Sequence, residues 1–210
     1  NGKQPIRQYP EPAFWRAPID NDFGNKMPVL AGVWRTAHVN RYVKKVTIGE
    51  NNEKGLSVRV DWVLSDIQVP YTMEYLVRDN GTVIVTGSID LTGTKLPELP
   101  RFGMRMELHQ PYDRGPFENY IDRYSGAFIG RYEDKVENQF YWYIRPQETG
   151  NKTDVRWLTL LDSGGLGVKI TGLQPISFSA LHFSPEDLDP GLTRKLQHTI
   201  DIVPQKNIFL

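Results

Sequence analysis

The sequence predicts an all-β chain, an antiparallel β-sandwich, on three observations. Apolar and β-branched residues recur at every second position over several segments, the period of a strand with one wet face. The 15 prolines and 18 glycines gather between those segments, where turns belong. Helical periodicity is nearly absent, and strands that follow one another without crossover helices imply antiparallel sheets packed face to face.

Each element follows from its residues. VKKVTI (43–48) and LSVRVDWVL (56–64) read as strands joined by the polar turn GENNEKG (49–55). YTMEYLV (71–77) and TVIVTGSIDLTG (82–93) flank DNG (79–81), a hairpin signal because Asn-Gly accepts the positive φ of a tight turn. Further strands are expected at RFGMRMELH (101–109), VRWLTLLD (155–162), GLGVKIT (165–171), ISFSALHF (176–183) and LQHTIDIV (196–203). SPEDL (184–188) is the one expected helix, with Ser184 as cap and Pro185 at the first helical position. No repeat or Gly/Ser linker interrupts the pattern, so residues 1–210 are read as one domain.

Composition narrows the function. The chain is long enough to bury a core, and Lys+Arg and Asp+Glu both number 25. That balance removes the electrostatic case for nucleic acid or an anionic membrane as partner. No apolar run approaches the roughly 18 residues of a membrane span, so the chain is read as soluble, in cytoplasm or periplasm. Without cysteine there is no disulfide, thiolate metal site or cysteine nucleophile. The start, NGKQPIRQYPEP, has no signal-peptide character. The end, QKNIFL, stops on apolar residues, and both termini read as cuts inside a longer polypeptide.

A glycosidase places two carboxyl groups about 5–10 Å apart across a sugar bond. Glu118 with Asp122, Glu133 with Asp134, and Glu186 with Asp187 or Asp189 are candidates, and their spacing singles out none of them. The ordinary role for such residues is a solvated or turn-capping carboxylate. His38, His109, His182 and His198 stand apart from one another, against a zinc site. No GxSxG elbow or phosphate-binding glycine loop occurs. GPFENYIDR (115–123) combines a Gly-Pro turn with an arginine able to fork onto a carboxylate. FYWYIRPQETG (140–150) sets four aromatics before Arg145. Aromatics beside Arg, Asn, Gln and carboxylates suit a sugar-binding surface, while in an all-β chain they equally serve as sheet core.

FWRAPIDND (14–22), GPFENYIDR and RPQETGNKTDVRW (145–157), in this order, resemble the carboxy-terminal domain of the large β-galactosidases of glycoside hydrolase family two. LPRFGMRMEL (99–108) and ISFSALHFSPEDL (176–188) fit the same domain. The resemblance implies a fold of the galactose-mutarotase-like kind, truncated at both ends. It implies a parent with a TIM barrel that holds the catalytic glutamates and the magnesium and sodium sites. No residue of this chain then has a catalytic or metal-binding role. The expected partners are the parent's other domains, a β-galactoside and a second copy of the parent.

The family's motif residues here are Trp15, Arg16, Pro18, Asp20, Gly115, Pro116, Glu118, Asn119, Tyr120, Asp122, Arg123, Pro146, Gln147, Glu148, Gly150, Arg156 and Trp157, all expected to be structural. In the family, the loop starting at the equivalents of Asn21, Asp22, Phe23 and Gly24 borders the substrate pocket and moves. Here it continues through Asn25, Lys26 and Met27, with Gly24 as hinge. Phe14, Trp15 and Pro18 are expected to pin this segment. Two features depart from the family: its G-G-D-D-S-W motif is absent, and Tyr112, Asp113 and Arg114 run straight into Gly115 without the usual W-x-G-x stretch. The alternatives are a free-standing aldose 1-epimerase, with His109 or His182 paired to a glutamate, and a carbohydrate-binding module.

Overall fold

The structure is a computed structural model. It describes residues 4–122, 128–189, 191 and 197–210, and for 118–122 and 128–132 the backbone alone. In chain order the strands are β1 (Ile6–Ala13), β2 (Arg41–Ile48), β3 (Leu56–Leu64), β4 (Val69–Val77), β5 (Val83–Ile89), β6 (Gly103–Leu108), β7 (Arg114–Asp122), β8 (Phe128–Lys135), β9 (Lys152–Leu161), β10 (Gly167–Phe178) and β11 (Ile208–Phe209). Four short helices accompany them: α1 (Asp20–Gly24), α2 (Met27–Leu30), α3 (Trp34–Ala37) and α4 (Pro185–Leu188). The chain is all-β and antiparallel, and it divides into two compact units.

One unit comprises Pro10–Arg16 and Asp22–Met104. Its sheet is a meander of order β2-β3-β4-β5. The DNG hairpin forms as expected, with Val77 opposite Val83 and Gly81 at φ 82°. Val58, Val60 and Trp62 lie opposite Tyr75, Met73 and Tyr71, so the alternation read from the sequence puts one apolar face on the sheet. Phe14, Trp34, Leu64, Tyr71 and Met73 are the buried centre of the core on that face. Burying each such side chain stabilises by roughly 1.5–3 kcal/mol. β2 ends the sheet, and seven of its eight residues are exposed, Tyr42, Val43, Val46 and Ile48 among them, beside Lys44 and Lys45.

The other unit comprises Asn1–Tyr9, Ala17–Asn21 and Arg105–Leu210. Here two sheets, of order β1-β6-β11 and β10-β9-β7-β8, share a core. Met106, Leu108 and Ile208 meet Phe117, Val155, Leu158 and Leu160 in it, which makes the unit a β-sandwich. A smaller cluster holds Ala17, Leu181, Phe183, Leu188 and Ile202, with Phe140 packed on it.

The structure corrects several expectations. LQHTIDIV forms no strand: Thr199–Asp201 is a 3-10 turn closed by Asp201, whose carboxylate accepts the His198 N–H at 2.9 Å. Leu196 of that segment lies outside the described residues. The strands expected at 165–171 and 176–183 are one strand, β10, whose register shifts between Thr171 and Ile176. Residues 179–183 leave that sheet, and Leu181 pairs instead with Phe209 of β11. The expected Gly-Pro turn is no turn, because Gly115 and Pro116 lie within β7. SPEDL is helical as expected: Ser184 Oγ accepts the Asp187 N–H at 3.1 Å, and Asp187 accepts the Ser184 N–H at 2.8 Å.

Candidate functional site

The segment 14–24 changes character at Arg16. Before it, Phe14 and Trp15 are buried in the core of the first unit. The Phe14 ring meets Trp34 and Tyr71 edge-on at 5.9 and 5.4 Å and stacks on Phe102 at 6.2 Å. Arg35 lies over the Trp15 ring at 4.9 Å. Past it, Ala17 is buried in the small cluster of the second unit, and Pro18 is fully buried.

The polar half of the segment divides. Asp22 is only 5% exposed and accepts both arms of the Arg16 guanidinium, at 2.6 and 2.9 Å. Asn21, Gly24, Asn25 and Lys26 are exposed, with Phe23 and Met27 half-buried. The stretch expected as an open loop is folded into α1 and α2. Gly24 ends α1 with φ outside the left-handed region, and the left-handed residue is Lys26, at φ 65°. Asn25 Oδ1 accepts the Met27 N–H at 2.9 Å, which closes the turn between the helices. The residues expected to form the rim therefore sit on a braced, compact turn.

Two of the three motifs meet in space. Ile19, Asp20 and Asn21 line an open cavity of about 240 Å³ together with Tyr143, Gln147 and Glu148. Carboxylates and amides line it without a cation, which suits hydroxyl groups and disfavours an anion. Pro146 beside it is buried, and Gly150 follows at φ 71°. In the third motif, Gly115 packs on β9 so closely that a Cβ there would run into the Thr159 carbonyl oxygen. Thr159 Oγ1 in turn donates to the Pro116 carbonyl at 3.1 Å. The side chains of Glu118, Asn119, Tyr120 and Asp122, and all of Arg123, lie outside the described residues. In β9, Arg156 is exposed and Trp157 lies under Lys169 at 5.0 Å.

The aromatics at 140–143 are not sheet core. They lie outside the strands, and Tyr141, Trp142 and Tyr143 are half or more exposed. Nor do the histidines converge: His182 Nδ1 lies 3.1 Å from the Asn207 carbonyl and His38 is buried in the other unit. Among the described residues, no group of three or more His, Asp or Glu could hold a metal ion. No helix among them is long and apolar enough to cross a membrane.

The described residues thus form antiparallel β-sheets, with polar side chains of two sequence motifs gathered at one open cavity. The whole chain, residues 1–210, matches the family model for the beta galactosidase small chain, and the chain belongs to that family. It is 36% identical over 184 residues to a beta-galactosidase of Priestia megaterium, covering 85% of this chain and 18% of that protein. It is 35% identical over 201 residues to a beta-galactosidase of Streptococcus thermophilus, covering 90% and 19%. A beta-galactosidase small subunit of Latilactobacillus sakei is 29% identical over 226 residues, covering 90% of this chain and 70% of that subunit. The chain thus spans less than a fifth of the first two relatives.

Proposed function

We propose that this chain is the carboxy-terminal, mutarotase-like domain of a retaining β-galactosidase, and that it forms wall and domain contacts around an active site whose reacting groups lie elsewhere. The observation that carries this reading is the coverage. All of the chain matches the small-chain family, while its long β-galactosidase relatives carry more than four-fifths of their length outside it.

In this reading the parent cleaves terminal β-galactosides with retention. A carboxylate attacks the anomeric carbon, a second carboxyl group protonates the leaving oxygen, and water releases the galactosyl-enzyme. Those carboxylates and the magnesium and sodium sites belong to the TIM barrel. This chain presents Asn21 and the turn from Gly24 to Met27 as pocket rim, held by the Arg16–Asp22 fork. Such a wall narrows access to the sugar and excludes water from it. Glu148 has a polar-lining role and is no nucleophile.

The test is hydrolysis of a chromogenic β-galactoside. The intact protein is expected to turn it over, and residues 1–210 alone are expected not to. Clear turnover by the purified 210-residue chain overturns the assignment of the reacting groups to another domain.

A further inference from the structure

Tyr141, Trp142, Tyr143 and Ile144 are 60, 64, 50 and 79% exposed, four large apolar or aromatic side chains in succession. Solvated loops do not have this composition, and this one is not loose. Phe140 fixes its root, packing on Phe183 at 4.3 Å and holding the Trp142 ring edge-on at 4.9 Å. The Tyr141 N–H donates to Thr149 Oγ1 at 3.2 Å, and the Tyr143 N–H to the Tyr141 carbonyl at 3.0 Å. The Thr199 N–H reaches the Ile144 carbonyl at 3.1 Å, which brings Ile200, 83% exposed, to the same place.

The result is an apolar patch on a braced backbone, all within one unit of the fold. Beside it lies the polar cavity of Asp20, Asn21, Gln147 and Glu148, which shares Tyr143 with it. An aromatic centre with a polar margin is the anatomy of a protein–protein contact.

We infer that this patch is the seat on which the remainder of the β-galactosidase docks, with Tyr141 to Ile144 and Ile200 buried against it. The inference rests on the function proposed above. The long relatives carry more than four-fifths of their chain beyond this region, and the Latilactobacillus sakei relative is by name a subunit. A surface must hold that remainder, and this patch adjoins the Asn21 end of the proposed pocket rim.

Hydroxyl-radical footprinting of the intact enzyme tests this. After correction for intrinsic side-chain reactivity, the five patch residues are expected to label at least about ten-fold more slowly than Leu173, which is 90% exposed in the same unit. The protection should survive dilution. In an Ile144→Asp variant, Trp142 and Tyr143 should label faster while Leu108 stays protected. Patch labelling at the Leu173 rate overturns the inference, and so does a variant in which Trp142 and Tyr143 are unchanged. Protection lost on dilution while galactoside hydrolysis persists also overturns it, since the remainder would then still be in place and a second copy would have been the cover. Galactoside hydrolysis by the same preparation separates the two readings. An active enzyme with an open patch defeats the docking inference alone, and an inactive one with a covered patch defeats the functional reading alone.

Discussion

At Asp22 the chain commits a carboxylate to the interior, and the Arg16 guanidinium pairs with it there. Arg16 contributes two donors in the planar fork that matches a carboxylate, with its own side chain three-quarters buried. Asp22→Asn keeps the shape and removes the charge, so it should cost about 2 kcal/mol. In a domain of this size that is roughly a 4–8 °C fall in melting temperature, readable by calorimetry. A shift under a degree would show that the fork contributes nothing. The motif's anchoring apolar residues were legible from their bulk and order. The fork was not, because nothing in the local sequence marks Arg16 and Asp22 as each other's partners. Neither was the meeting of Asn21 with Tyr143, Gln147 and Glu148, more than a hundred residues away, since nothing local encodes it.

Among the elements, the meander β2-β3-β4-β5 was readable strand by strand because each strand alternates and each turn carries Asn, Asp or Gly, although the last strand ends at Ile89 and not at residue 93. β1, β7 and β8 went unread for the opposite reason. IRQYPEPA and RGPFENYID contain prolines and charges that argue against a strand, and RYEDK ends β8 in charge. Helices of four or five residues, such as α1 to α3, are too short to show a period. LQHTIDIV misleads because its alternation imitates a strand while Asp201 caps a turn inside it. Within the meander, β4 and β5 are fitted at one point: the Tyr71 hydroxyl lies over Gly87, where a Cβ would collide with it. That hydroxyl is buried without a hydrogen-bond partner among the described residues, and burial pushes its pKa up to about 12. Gly87→Ala should therefore destabilise by about 1–3 kcal/mol through overpacking. Tyr71→Phe should be neutral or stabilising and should rescue the Gly87 variant. Denaturant midpoints of the two single variants and the double variant decide it, and additive effects would rule out the contact.

For the molecule as a whole, charge sets the response to pH. Hydrogen bonds hold three carboxylates below their ordinary 3.8: Thr72 at Asp61, the Thr92 backbone at Asp90, and Asn138 at Asp134. A depressed carboxylate stabilises the fold above its unfolded pKa and loses that contribution as pH falls through its folded one. Stability should thus be level near neutrality and decline below about pH 4, each group contributing little because Asp90 and Asp134 are exposed and Asp61 is only half-buried. Lys152 runs the other way. Burial lowers its pKa, so its penalty is present in the charged form and lifts as pH rises toward its ordinary 10.5. Urea midpoints against pH for the wild type and Asp134→Asn check the acid limb, which the substitution should make shallower; an unchanged slope counts against the assignment. The outermost strand, β2, offers a row of backbone donors and acceptors to any extended peptide that approaches it. Its apolar side chains would favour such an addition. Lys44 and Lys45 set like charges against like wherever two copies meet there, so the sheet resists lengthening itself into a fibril.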